Sequence, residues 1–323
     1  MDKLIDVRNI LENRLPLLIG NGFSIDISEK FEYESLMNLV KYENLTSSLR
    51  KLLDSSNEMN IEDILKMVEI SRDVMNCMGK ECVDFQPLIN EIKINFIKVI
   101  TDIQPSKEYY EGRINGNVKR LEILKKFSKV FTTNYDLSLY YIVSKESNSS
   151  FIDYFGKSDF PVLLTFNSQN HIDPNKIPVY YLHGNLMIFR VVVDGVYTSK
   201  VRYKNGSTIL RQIVTRINEN DFPVIVTEGL STQKTNKINS NDYLKYCWKS
   251  LKDLKEDEIV VYGHSLSDSD QHIVELIDKK FKTVYYGIYN NSRQNQQIIK
   301  SKFSNSKVLF FESKLLFSLT NTV

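Results

Sequence analysis

At 323 residues, with 42% hydrophobic and 25% charged residues, the chain has the balance of an ordinary globular protein long enough to bury a sizeable core. Its formal net charge is +2, and its basic clusters are pairs such as Lys125-Lys126 and Lys279-Lys280, which argues against a nucleic-acid-binding surface. No run of about 18 apolar residues suggests a membrane span, and the start, Met1-Asp2-Lys3-Leu4-Ile5-Asp6, has no secretory pattern, so a cytoplasmic location is expected.

Leu15-Pro16-Leu17-Leu18-Ile19 is an apolar run broken by Gly20-Asn21-Gly22, the pattern of a buried parallel strand ending at a glycine turn. From about 35 to 101 the spacing becomes helical. Ile61, Ile64, Leu65, Val68 and then Leu88, Ile92, Phe96, Val99 recur at three- and four-residue steps, with breaks at Ser55-Ser56-Asn57 and Asp84-Phe85-Gln86-Pro87. This stretch reads as a helical insert. An amphipathic segment over 118–127 leads into a strand over 129–133, and a polar loop is expected over 145–150. Val179-Tyr180-Tyr181-Leu182 is a further buried strand. An insert over 186–222 carries a hairpin, with strands over 189–193 and 196–197 joined by Asp194-Gly195. Strands are also predicted over 223–226, 258–262, 283–289 and 307–311, with helices over 242–254 and 292–303. This alternation implies an α/β fold: a Rossmann-like, mostly parallel sheet with helices on both faces, in one domain spanning 1–323.

Four of these strands end in chemically distinctive residues, and strand ends are where such sheets place ligands. Gly20-Asn21-Gly22-Phe23-Ser24 can present backbone N–H groups to a pyrophosphate, or simply turn the chain, since the GxGxxG spacing is incomplete. Thr132-Thr133-Asn134-Tyr135-Asp136 sets a carboxamide and a carboxylate at one strand end. Asn134 can hold a ribose hydroxyl and an attacking water, Asp136 can accept from a nicotinamide carboxamide, and either can equally cap the helix that follows. His183, between an apolar strand and Gly184, is placed at the open edge of the sheet, where it can act as a general base near neutral pH. His171, in a polar loop, and His272, in a helix over 271–281, read as structural. In the segment Gly263-His264-Ser265-Leu266 the glycine admits a ligand to the backbone and Ser265 can donate to a phosphate or ribose oxygen. Asp268 and Asp270 suit the first turn of the next helix. Cys77, Cys82 and Cys247 form no CxxC pair, so they read as reduced, mostly buried thiols and no metal site is expected.

In their order along the chain, Gly20 to Ser24, Thr132 to Asp136, His183-Gly184 and Gly263 to Leu266 resemble the motifs of the sirtuin superfamily. That family carries a glycine turn, a T-x-N-x-D motif, a catalytic His-Gly and a G-x-S-L turn on one Rossmann-like sheet. Tyr289-Asn290 matches its strand-end asparagine near the adenosine ribose. The resemblance spans about 15 to 313, in islands. The four-cysteine zinc module of the deacylases is missing, Ile25-Asp26-Ile27-Ser28-Glu29 replaces their G-I-P-D-F-R segment, and the helical insert separates the first two motifs. In these respects the chain is similar to the zinc-less bacterial branch found in antiphage defence, whose members hydrolyse NAD. Thr227-Glu228-Gly229-Leu230-Ser231 also looks like a feature of that branch, without a chemical role of its own. The resemblance implies NAD as substrate, no metal, and cleavage to nicotinamide and ADP-ribose. It assigns catalysis to Asn134, His183 and Asp136, and NAD binding to Gly20, Asn21, Gly22, Ser24, Thr133, Gly263, Ser265 and Asn290. It also implies control by homo-oligomerisation, a partner protein or a signal nucleotide. The alternatives are an NAD-dependent protein deacylase or ADP-ribosyltransferase, and a non-catalytic NAD or ADP-ribose sensor. The missing zinc module weighs against the deacylase, and the intact Asn134 and His183 weigh against the sensor.

Overall fold

A computed structural model describes residues 1–32, 45–56, 61–80, 85–106, 109–110, 114–144, 150–157, 164–169, 173–192, 195–201 and 208–318. Among these residues the strands are β1 (Leu17–Ile19), β2 (Val130–Thr132), β3 (Phe151–Ile152), β4 (Phe155–Lys157), β5 (Leu164–Phe166), β6 (Ile177–Tyr181), β7 (Gly184–Val192), β8 (Val196–Lys200), β9 (Pro223–Ile225), β10 (Glu258–Tyr262), β11 (Thr283–Ile288) and β12 (Lys307–Glu312). Seven of them form one sheet in the order β12-β11-β10-β1-β2-β6-β3, every pairing parallel. Leu17, Leu18 and Ile19 lie between Val260, Val261 and Tyr262 on one side and Val130, Phe131 and Thr132 on the other. β1, β2 and β6 are buried at every position, as strands covered on both faces must be. Helices flank this sheet, so the expected α/β, Rossmann-like architecture stands.

β1 sits in the middle, with β2 on one side and β10 on the other. The strand order therefore reverses at β1, and crossovers leave it in opposite directions. A ligand crevice lies outside the carboxyl ends of such a pair, beside the loops that follow the two strands. Here those loops are Gly20-Asn21-Gly22 and Gly263-His264-Ser265.

The second sheet departs from expectation. It is antiparallel, in the order β4-β5-β8-β7-β9. The hairpin over β7 and β8 is present, with Val192 opposite Val196, but β7 begins at Gly184 and runs nine residues. β9 pairs with β7 here and is not a strand of the parallel sheet. A run of three or four buried apolar residues looks the same in either sheet, so its partner is set by packing. The insert is thus wider than 186–222. The expected loop over 145–149, His171 and Cys82 lie outside the described residues.

The helices Ser47–Ser55, Ile61–Cys77 and Gln86–Asp102 form the lobe between β1 and β2. Leu49, Leu53, Ile64, Leu65, Val68, Ile89, Ile92 and Phe96 face inward and join the same hydrophobic core as the sheet strands. Cys247 is buried, but Cys77 is exposed at the end of its helix, a correction to the expectation of buried thiols. Among the described residues no helix is long and apolar enough to cross a membrane.

Candidate functional site

Above the β1/β10 reversal lies a cavity of about 920 Å³, near the upper end of the usual range for cofactor and ligand sites. Asn21, Gly22, Thr133, Asn134, Asp136, His183, Gly263 and Ser265 all stand on its wall. Three other expected residues do not. Gly20 and Ser24 lie behind the wall, and Asn290 is exposed with its carbonyl accepting from Asn295 Nδ2 at 2.7 Å, while its neighbour Tyr289 takes the wall position.

The glycine turn does a different task from the one expected. Gly20 N–H donates to the Tyr262 carbonyl at 2.9 Å, Gly22 N–H to the Gly263 carbonyl at 2.7 Å, and Phe23 N–H to the Gly20 carbonyl at 3.1 Å. These amides are spent within the protein and are not a free cradle for phosphate. A Cβ on Gly20 would stand 2.4 Å from His264 Cα, and one on Gly22 2.7 Å from Gly263 Cα. The glycines let the loops after β1 and β10 touch, which closes the floor of the crevice. Ser24, expected on the pyrophosphate, is fully buried and donates to Asp136 Oδ2 at 2.7 Å.

Asn134 and Asp136 are joined through that serine. Asn134 Nδ2 donates to Ser24 Oγ at 2.8 Å and to the Gly20 carbonyl at 3.1 Å, which ties the end of β2 to the end of β1. Its Oδ1 has no protein donor among the described residues, so the acceptor end of the carboxamide is left for the cavity. Asp136 Oδ1 accepts from Ser138 N–H at 2.7 Å, at the start of the helix Ser138–Val143. Asp136 thus holds the first amide of this helix although Leu137 occupies the N-cap position, and both carboxylate oxygens already have donors. Burial pushes the Asp136 carboxyl up, against the bonds from Ser138 and Ser24 that favour its charged form.

His183 sits where the chain leaves β6 for the second sheet. Gly184 has φ +76, and a Cβ there would meet the Val224 carbonyl oxygen at 1.9 Å, so only glycine allows this crossing. The His183 carbonyl accepts from Val226 N–H at 2.9 Å, and buried Asn185 donates from Nδ2 to the Asp136 carbonyl at 2.6 Å. The imidazole stacks near the Tyr135 ring, at 6.4 Å between centroids, and near the Trp248 ring, at 6.5 Å. Its Nε2 is 3.1 Å from Nε2 of His272, whose Nδ1 is 3.2 Å from Ser231 Oγ. Burial holds both imidazoles below the ordinary range, His183 far below and His272 at about 4.

Next to this pair lies a buried ion pair that composition did not announce. Lys234, fully buried, donates to Asp270 Oδ1 at 2.9 Å. Burial opposes ionisation of Asp270, yet the Lys234 ammonium holds its carboxyl below the usual range. His264 accepts Leu266 N–H on Nδ1 at 3.0 Å, so its proton is on Nε2, which faces Asp270 Oδ2 at 3.7 Å. His183, His272 and Asp270 each bring a ligand atom within 4.8 Å of the others, close enough to hold a divalent ion. The charge balance does not favour one: Lys234 already neutralises the carboxylate, so a metal would leave its charge buried without a counter-ion.

Residues 17–315 match a family described as a domain of unknown function, DUF4917. The chain belongs to that family. No curated protein matches it. The matched span encloses every residue of the cavity wall named above, so the site is part of the family's domain and not an appendage to it.

Sequence reasoning gave Ser231 no role, passed over Lys234 and did not place His272 beside His183. The helix Ser231–Asn239, which carries the first two, packs on the helix Gln271–Lys280, which carries His272. The available signal was spacing. Asp270 and His272 start the helix directly after the Gly263-His264-Ser265-Leu266 turn, so they had to stand at the same strand end. The segment 227–231 also gains a role. Glu228 meets Lys93 Nζ at 3.0 Å, and Gly229 N–H donates to Glu69 Oε2 at 3.1 Å, so the helical lobe anchors the loop that delivers Ser231.

Proposed function

We propose that this chain is an NAD hydrolase that cleaves the bond between nicotinamide and ribose, releasing nicotinamide and ADP-ribose in the cytoplasm. The observation that carries the reading is the meeting of Asn134, Asp136 and His183 on one wall of a cavity at the strand-order reversal. The resemblance to the zinc-less antiphage branch of the sirtuins supplies the reaction and the role of a defence effector.

In this reading NAD lies in the crevice between the ends of β1 and β10. Asn134 Oδ1 accepts from a ribose hydroxyl or the attacking water. The C1′–N1 bond breaks with its electron pair passing to the nicotinamide nitrogen, and the water oxygen bonds C1′ of the oxocarbenium-like centre. The proton released from that water passes to His183, which is neutral at pH 7 because of its burial. Asp136, with both oxygens bonded, serves by holding Ser24 and through it Asn134. The exposed hydroxyl of Ser265 is available to the diphosphate, a task that Gly20, Gly22 and Ser24 cannot share. Control by self-assembly, a partner or a signal nucleotide belongs to the same proposal.

Purified protein incubated with NAD should release nicotinamide and ADP-ribose in equal amounts. An acylated peptide or carrier protein added to the same assay separates transfer from hydrolysis, and binding of NAD without turnover would favour a sensor.

A further inference from the structure

Beside His183 the structure holds a second imidazole in an unusual relation to the first. The rings of His183 and His272 lie 5.3 Å apart between centroids, inclined by 19°, with Nε2 facing Nε2 at 3.1 Å. Only one proton can lie between two nitrogens that close, so the tautomer of one ring dictates the tautomer of the other. His272 is fixed in turn. Ser231 Oγ accepts its backbone N–H at 2.9 Å and stands 3.2 Å from its Nδ1, and the Trp248 ring packs against it at 5.1 Å. Ser231 itself begins the helix Ser231–Asn239 beyond the loop anchored on Glu69 and Lys93. Among the described residues no protein group is bonded to Nδ1 of His183, which stands on the cavity wall.

We propose that His272, seated by Ser231, is a positioning residue for His183. His183 Nε2–H donates to His272 Nε2, and His272 Nδ1–H donates to Ser231 Oγ. His183 Nδ1 is thereby left unprotonated, and it is the nitrogen that receives the proton from water. The logic is that of a base oriented by a third group, with an imidazole standing where a carboxylate is more usual. Asp270 does not take that place, because Lys234 engages it. The kinetic part of this inference rests on the NAD-hydrolase reading, whereas the tautomer does not.

The chain has only four histidines, so selective labelling with nitrogen-15 histidine makes the rings resolvable by long-range proton–nitrogen correlation. The full-length protein is examined as wild type, His272→Leu, His272→Gln and Ser231→Ala, each checked for folding by circular dichroism. His183 is expected as the Nε2–H tautomer in the wild type and to lose that preference in His272→Leu. In the NAD assay, His272→Leu and Ser231→Ala should lower kcat by roughly 10- to 100-fold with KM little changed, the scale at which loss of an orienting partner is felt. His272→Gln, whose carbonyl can still accept from His183, should recover part of the loss. If His272→Leu does not fold, His272→Gln and Ser231→Ala carry the test alone.

An Nδ1–H tautomer in the wild type, or one unmoved by His272→Leu, overturns the proposal. So does one equivalent of divalent metal bound through His183 and His272 in elemental analysis of the purified protein, and so does a loss that appears only in KM. Should the wild type show no NAD cleavage, the function reading fails while the tautomer measurement still decides this one.

Discussion

Gly184 is the residue on which the geometry of His183 most depends. Its positive φ and the Val224 carbonyl 1.9 Å from any added Cβ act together, so the cost has two sources. Gly184→Ala should lose roughly 2–5 kcal/mol, from left-handed backbone strain plus overpacking between β7 and β9. Urea unfolding measures it, and a loss below about 1 kcal/mol would mean that β7 and β9 can move apart locally without penalty. Burial of the histidines has a second consequence at this scale. His183, His264 and His272 are all held below their ordinary value, chiefly by desolvation. In the unfolded chain they titrate near 6.5, so between that pH and their folded values the unfolded chain binds more protons, and stability falls as pH falls. Asp136 and Glu69, both raised by burial, offset part of this. The urea midpoint should drop between roughly pH 7.5 and pH 5, less so in His272→Gln, while the acid limb of NAD cleavage should lie below pH 6.5 because His183 stays neutral. Unchanged stability over that range would contradict the burial of this cluster. The residue types of the site were legible in the sequence, because strand-end Asn, Asp and His each follow an apolar run. Their partners were not: nothing local shows that Ser24 would bond Asp136, or that the ring of His272 would turn toward His183.

The elements were legible where they are long or strongly patterned. Nine of the strands and the three helices of the lobe follow from apolar runs and helical spacing. β3, β4 and β5 hold two or three residues each, too few to show a period, and β9 reads as a buried strand without revealing its sheet. The helix Ser231–Asn239 has a polar face too wide to stand out from a loop. The lobe helix Ile61–Cys77 shows a different departure. Ile61, Ile64, Leu65 and Val68 face the core, but Ile70, Val74 and Met78, at four-residue steps, are 43%, 51% and 60% exposed. A stripe of this kind is where self-assembly would bury apolar area. Replacing all three with lysine should leave folding intact, lower the mass measured by light scattering, and reduce turnover per chain. An unchanged mass with full turnover would remove this face from any role in assembly.

For the whole molecule, the strand order β12-β11-β10-β1-β2-β6-β3 matters more than any single motif. It brings the ends of β1, β2, β6 and β10 around one cavity, so residues as far apart in the sequence as Asn21 and Lys314 share a wall. The motifs could be read as a set because each closes a strand of one parallel sheet. The second sheet could not, because its pairings join segments with no common pattern. The central claim is that this wall hydrolyses NAD, and the most direct measurement follows free nicotinamide from NAD with the wild type, His183→Ala and Asn134→Ala under the same activating conditions. Asn134→Ala also removes bonds to Gly20 and Ser24, so it should cost about 1–3 kcal/mol of stability and be assayed well below its unfolding midpoint. Stoichiometric nicotinamide and ADP-ribose are expected from the wild type, and a loss of more than roughly 100-fold in each variant while folded. Near-full turnover in either folded variant, or NAD left intact by the wild type at every concentration and with every partner tried, would contradict it.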